Sequence, residues 1–399
     1  MSTWSCWPRM APCWRVLSRC STSDAVPVPG GGAVLQPLSN YGAIQAISQW
    51  VLLPGVNVMN TACVLFARHI EKSTIAILLL LLPLAAARAA LTLEEVINPP
   101  YFRPGDIEEV RKGGVGVARL HEVSDREIAV AIACLVNSEA DIALAPFLGN
   151  VLPVDSSLLR QQSRIDPDSP EASFEKISLG SDDNDEIRHY LRAEPGFGLN
   201  LSDDEIASLQ ALRAADDSGR VETLLENILH ARYRAYRDQG LPGTPPYARG
   251  DGEHVMPGEE LRKTEVHMTG LHELYPEFHD DWLVYPRKKP AGLVADDHFW
   301  IKLDIDERPA FILSHRLVSN NDDVHLVGIR DYYVSHFFDV AQRVAILVRL
   351  ASGQNVLVYV ERAWVDYWSG LASLSKKIGR KVMLRQMEHL LKEHGICGG

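Results

Sequence analysis

The carboxyl-terminal third of this chain leaves room for few folds. From Phe299 onward, apolar Phe299, Ile301, Leu303 and Ile305 alternate with Trp300, Lys302, Asp304 and Asp306. A period of two is that of a half-buried β-strand, whose successive side chains leave opposite faces. Further strand-like runs follow at 310–318, 324–334, 344–350 and 356–361. Two of the links carry turn chemistry, Asn320-Asn321-Asp322-Asp323 and Ser352-Gly353-Gln354, and links this short join antiparallel neighbours. The chain then leaves the sheet for a long helix. Leu371, Leu374, Ile378 and Val382, then Met383, Met387 and Leu390, keep helical spacing up to the stop at Gly395. Leu374, Ile378 and Val382 are expected to face the sheet.

Upstream, the region 107–150 offers two strand-like runs, 115–120 and 127–135, separated by the polar turn 122–125. Residues 151–200, rich in Asp, Ser and Pro, read as an acidic loop centred on Ser181-Asp182-Asp183-Asn184-Asp185-Glu186. That run lacks the glycine and the spaced terminal glutamate of a calcium loop, so it reads as a solvated segment. A helical insertion spans 200–240. Ser202-Asp203-Asp204-Glu205 is a capping box opening a helix to about Ala215. In a second helix Val221, Leu224, Leu225, Ile228 and Leu229 form an apolar stripe continued by Tyr233 and Tyr236, with Arg232, Arg234 and Arg237 as its charged face. Gly240 ends it, and Pro242, Pro245 and Pro246 forbid its continuation.

This order of elements resembles the helix-grip fold of START-like lipid-transfer and polyketide-cyclase-like proteins. The resemblance covers 107–150 and 262–394. It implies an α+β fold in which a curved antiparallel sheet wraps the C-terminal helix and leaves an elongated apolar cavity between them. The helical block at 200–240 and a second strand before it depart from that pattern. The run from Tyr359 through Trp364 to Gly370 also resembles a segment of an uncharacterised family of bacterial exported proteins, which implies export and no particular activity.

Residues 71–96, EKSTIAILLLLLPLAAARAALTLEEV, have the three parts of a secretory signal: a charged lead at Arg68 and Lys72, an apolar run at 75–84, and Ala87-Arg88-Ala89 as a small-residue cleavage site. A membrane-spanning helix needs about twenty apolar residues, so cleavage near Ala89 is the expectation and a retained anchor the alternative. Residues 1–58 hold Trp4, Trp7, Trp14 and Trp50 and Cys6, Cys13 and Cys20 without a sustained period. They read as a non-native or disordered extension, with Met59 opening a signal peptide of 59–89 and one exported domain over 90–399. That domain carries 34 Lys/Arg against 50 Asp/Glu, a formal charge of −16, once the six basic and two acidic residues of 1–89 are removed. So acidic a body repels nucleic acid. Arg287-Lys288-Lys289, Lys376-Lys377 and Arg380-Lys381 read as solvated edges. Cys134, in an apolar run, and Cys397, in a Gly-flanked tail, are read as unpaired cysteines, with a disulfide as the alternative.

The sequence contains no GxxxxGK[ST], GxGxxG, GxSxG or HExxH motif. Its densest constellation is His267, His272 and His279 with Asp280 and Asp281, residue types that suit a divalent metal, although the spacing places no two of these histidines on one helical face. His298, His315, His325 and His336 fall on expected strands and read as hydrogen-bonded sheet residues. Arg362 and Asp366 stand at the last strand-to-helix junction beside Trp364, Tyr367 and Trp368. They form either a structural ion pair or the polar mouth of a ligand cavity. The expectation for function is therefore an exported envelope protein, periplasmic in a bacterium, that binds an apolar or amphipathic, lipid-like molecule without a cofactor and touches membranes peripherally. The alternative is a hydrolase or metal-dependent enzyme built on 267–281.

Overall fold

The computed structural model describes residues 91–397 apart from 98–101, 180–183, 197, 267, 269–271, 273–274, 291, 306–307, 322 and 366–371. The chain divides into two units between Ala86 and Ala87, and the second is the one described. It is an α+β domain around a large antiparallel sheet. β1 (Val115–Arg119) and β2 (Glu127–Val136) form a hairpin, β3 is Leu159–Ile165, and β4 (Tyr247–Gly250) and β5 (Glu253–Val255) make a separate small hairpin. The meander runs through β6 (Leu293–Ile305), β7 (Arg308–Asn320), β8 (Val324–Val334), β9 (Phe338–Arg349) and β10 (Asn355–Val365). The order β1-β2-β10-β9-β8-β7-β6-β3 keeps each consecutive pair of the meander adjacent, as its short links require. β2 then closes on β10 with ten residue pairs from Asn355–Val136 to Trp364–Glu127.

Helices cover both faces of this sheet. The helices are α1 (Leu93–Ile97), α2 (Pro104–Arg111), α3 (Ala140–Leu148), α4 (Pro170–Phe174), α5 (Asn184–Leu191), α6 (Asp203–Ala214), α7 (Val221–Gln239), α8 (Pro257–Val266), α9 (Pro276–Leu283) and α10 (Ala372–Glu393). On one face, Met383, Met387, Leu390 and Leu391 of α10 and Phe147 of α3 pack with Ile128, Val130, Ile132, Leu357 and Tyr359. Gly379 lets α10 come close to β2, for a Cβ there would lie 2.7 Å from Ile128 Cδ1. On the other face, Leu225, Leu229, Tyr233 and Tyr236 of α7 and Phe278 and Trp282 of α9 pack with Trp300, Leu313, Leu317 and Leu326. The Trp282 ring lies over Gly328 of β8, where an added Cβ would meet it at 2.6 Å. The pairs Leu313–Tyr333 and Ser314–Asp331 leave Tyr332 as an extra residue in β8, so Tyr332 and Tyr333 both join the α7 side of the core.

Several expectations change in the folded chain. The alternation at 299–306 suggests one wet face, yet Trp300 and Lys302 are 2% exposed, because the α7 face is covered as well. Lys302 there meets Glu186 of α5 at 3.0 Å. Residues 151–200 are no plain loop: they contribute edge strand β3, whose polar sequence follows from having to pair only with β6, together with α4 and α5, while 180–183 of the acidic run lie outside the described residues. Arg232 belongs to the buried side of α7, forked onto Glu205 at 2.8 and 2.5 Å and 4.3 Å from the Tyr333 ring centre. On α10, Val382 is 45% exposed while its neighbour Met383 is buried, because the helix turns its methionines to the sheet. The side chains of Leu374 and Ile378 lie outside the described residues. Cys134 and Cys397 form a disulfide with Cα atoms 5.8 Å apart, tying the end of α10 to β2; the apolar setting of Cys134 is the core against which the tail docks. Among the described residues no helix is long and apolar enough to cross a membrane.

Candidate functional site

The last strand brings Arg362 and Trp364 into buried contacts. Arg362 is 1% exposed and on the α7 face, away from α10; its Nη1 donates to Glu127 Oε1 at 2.7 Å and its Nη2 to the His121 carbonyl at 3.2 Å. Glu127 in turn accepts from the Val123 amide at 2.7 Å. Trp364 donates from Nε1 to Thr264 Oγ1 at 2.7 Å. Asp366, Tyr367 and Trp368 lie outside the described residues. Nearby, Asp339 accepts from both Arg126 and Arg249, and Arg126 also reaches Glu260 at 3.0 Å. Burial, reinforced by the Asp339 charge, raises the Glu260 carboxyl to about 8. These groups knit the ends of β2, β9 and β10 to α8.

The histidine constellation is brought together in part. His272, just before α9, and His279 within it have ring centres 5.0 Å apart. Asp280 Oδ1 lies 3.0 Å from His279 Nδ1 and 3.7 Å from His272 Nδ1. The expectation that no two of these histidines share a helical face does not hold for this pair, since residues seven apart return to one side of a helix, although only His279 belongs to α9. Asp281 is turned inward to Lys288 at 2.5 Å, and His267 lies outside the described residues. The group sits at the surface, with His272 54% and Asp280 63% exposed.

A second histidine group is buried on the α7 face. His298 of β6 and His315 of β7 are direct cross-strand partners, and their rings stack 4.4 Å apart at 7°. Asp296, two residues before His298 and therefore on the same face, points Oδ1 to His315 Nε2 at 3.0 Å and to His298 Nε2 at 4.0 Å. Tyr236 Oη lies 2.9 Å from His315 Nδ1 and accepts from Arg330 at 3.1 Å. Tyr285 Oη lies 3.3 Å from His298 Nε2. Burial, assisted by the neighbouring imidazole, pushes His298 well below its ordinary pKa; burial also lowers that of His315, against the pull of Asp296. Burial works to raise Asp296, but His315 and Lys289 outweigh it and hold the carboxyl below its usual range. The sequence reading missed this group because it assigned strands without a register.

A third group interrupts the apolar α10 face. Asp331 of β8 receives Arg343 of β9 at 2.7 Å on both oxygens and Ser314 Oγ at 2.6 Å. Glu361 of β10 stands directly across from Arg343. Burial, with Arg343 opposing and Asp331 adding to it, raises the Glu361 carboxyl to about 7. Arg343 and Glu361 remain part-exposed while Tyr359, Ala345 and Ala363 beside them are buried. Arg343 Nε has no hydrogen-bond partner. Phe338 and Val365, paired at the strand ends, extend the same face as half-buried apolar residues. The alternation of 341–347 and 357–363 marks which residues share this face, but polar residues at core positions carry no motif. No protein-family model matches the chain, and no curated protein matches it.

Proposed function

We propose that this chain is an exported carrier that holds a small amphipathic molecule between α10 and the sheet, in the manner of helix-grip proteins. The observation that carries the reading is the Asp331–Arg343–Glu361 group. Three ionisable side chains are costly on an otherwise apolar face, and two of them keep access to water while their apolar neighbours are closed off. Asp331 already neutralises Arg343, so an anionic head group gains little there. Arg343 Nε offers a donor, and Glu361, poised near neutrality, offers a donor or an acceptor. A neutral hydrogen-bonding head, a hydroxyl or an amide, suits that pair, and its apolar tail runs along Phe338, Val365 and the methionines of α10, which adapt to irregular ligands. The signal-like segment at 71–96 and the Cys134–Cys397 disulfide, a bond that persists in oxidising compartments, support a periplasmic or envelope location.

The test is native mass spectrometry of protein secreted into a bacterial periplasm, with lipid extraction of the same material. The wild type is expected to retain an amphipathic small molecule at one per chain. Arg343→Lys, which keeps the charge but removes the Nε donor, should lose most of it without a large change in melting temperature. A wild type that carries nothing and displaces no fluorescent long-chain amphiphile sinks the reading. The approach of His272 to His279 and Asp280 favours a second reading, metal-dependent hydrolysis, which loss of activity in His279→Ala would test.

A further inference from the structure

We propose that Asp296, His298 and His315 form a binding site for one divalent first-row metal ion, on the face of the sheet opposite the ligand site. Two imidazoles and one carboxylate suit iron(II), manganese or zinc. One ligand atom from each residue lies within 4.8 Å of the others. Metal–ligand bonds of about 2.0–2.2 Å set such atoms roughly 3–3.5 Å apart. The observed separations from Asp296 Oδ1, 3.0 Å to His315 and 4.0 Å to His298, need only a small closure of the His298 side.

The surroundings are those of a prepared site. Adjacent strands hold the two rings parallel, so neither must be ordered when an ion binds. Tyr236 at His315 Nδ1 fixes that ring and leaves Nε2 to face Asp296, the outer-shell contact that metal-bound histidines commonly have. Lys289 holds the other Asp296 oxygen at 2.9 Å and turns Oδ1 inward. Nδ1 of His298 is buried without a partner, so this ring lacks the outer-shell contact that Tyr236 gives His315. Three protein ligands leave coordination positions open. Tyr285 Oη, 3.5 Å from Asp296 Oδ1, borders them. Asp296, 17% exposed beneath the amine of Lys289, which is 61% exposed, is the side of the group nearest solvent.

The experiment strips the full chain with a chelator and titrates it with cobalt(II), followed by visible absorption, and with zinc(II), followed by calorimetry. One equivalent of cobalt is expected, with ligand-field bands in the visible. Asp296→Asn and His298→Gln should weaken binding by about 100-fold or more, beyond the loss typical of an outer-shell change, while His272→Ala leaves it unchanged. Metal-free melting temperatures check the fold, and Asp296→Asn, at the rim, carries the test where His298→Gln does not fold. Folded wild type that binds no stoichiometric metal overturns the proposal. So does binding lost in His272→Ala and kept in Asp296→Asn. The readout is metal content, so it stands apart from the fate of the carrier reading.

Discussion

Removing the Cys134–Cys397 disulfide probes how the terminal helix is held. The bond closes a sequence separation of 263 residues. The chain-entropy relation gives about 5–6 kcal/mol at 25 °C for a loop of that size, and native disulfides typically deliver about 2–5 kcal/mol. Unfolding entropy near 2.1 cal/mol/K per residue, applied to the unit Ala87–Gly399, amounts to roughly 0.65 kcal/mol/K. The expected fall in melting temperature is therefore about 3–9 °C. Calorimetry of periplasmically expressed wild type with and without dithiothreitol, beside Cys397→Ser, measures it. Reductant should lower the wild type to the level of the variant and leave the variant where it was, since the other four cysteines lie at 6, 13, 20 and 63. Oxidised and reduced wild type melting within about a degree of each other would refute the reasoning, as would two titratable thiols in the denatured, unreduced domain.

The Glu127–Arg362 pair, 0% and 1% exposed, should behave as a buried ion pair: Glu127→Gln or Arg362→Met alone costs about 3–5 kcal/mol in urea unfolding, while a double apolar replacement recovers much of it. Additive single losses would show that the two do not depend on each other. Glu361, with its carboxyl raised to about 7, binds a proton more tightly folded than unfolded. Its contribution is therefore fully present below about pH 4.5 and lost as pH rises through about 7. Glu361→Gln should flatten that slope and stabilise the protein at pH 8 by roughly 1–3 kcal/mol, after a discount for its partial exposure. Because Arg343, Asp331 and Tyr359 around it are unchanged, urea midpoints of the two proteins that run parallel from pH 5 to pH 8 would discard the idea.

Local pattern alone determined much of this fold. The capping box at Ser202 forms as written, with Glu205 Oε2 accepting from the Ser202 amide at 2.7 Å, and Gly240 ends α7 at φ 68°. The meander was legible because short links leave an antiparallel neighbour as the only partner. The two candidate sites were less legible, for they depend on register and on what covers each face. Counting back seven residues on either side of the Ile305–Arg308 pair lands on His298 and His315, so that meeting was latent in the hairpin, but Tyr236 arrives from a helix 79 positions away. The pairing of β2 with β10 decides that Arg362 meets Glu127, 235 positions distant, and period two decides that Arg362 and Glu361 serve opposite faces. Periodicity reports that a face is buried, because it follows from backbone geometry within one element. Which charge is compensated there, and which is left for a ligand or an ion, depends on side chains that only tertiary packing brings within reach.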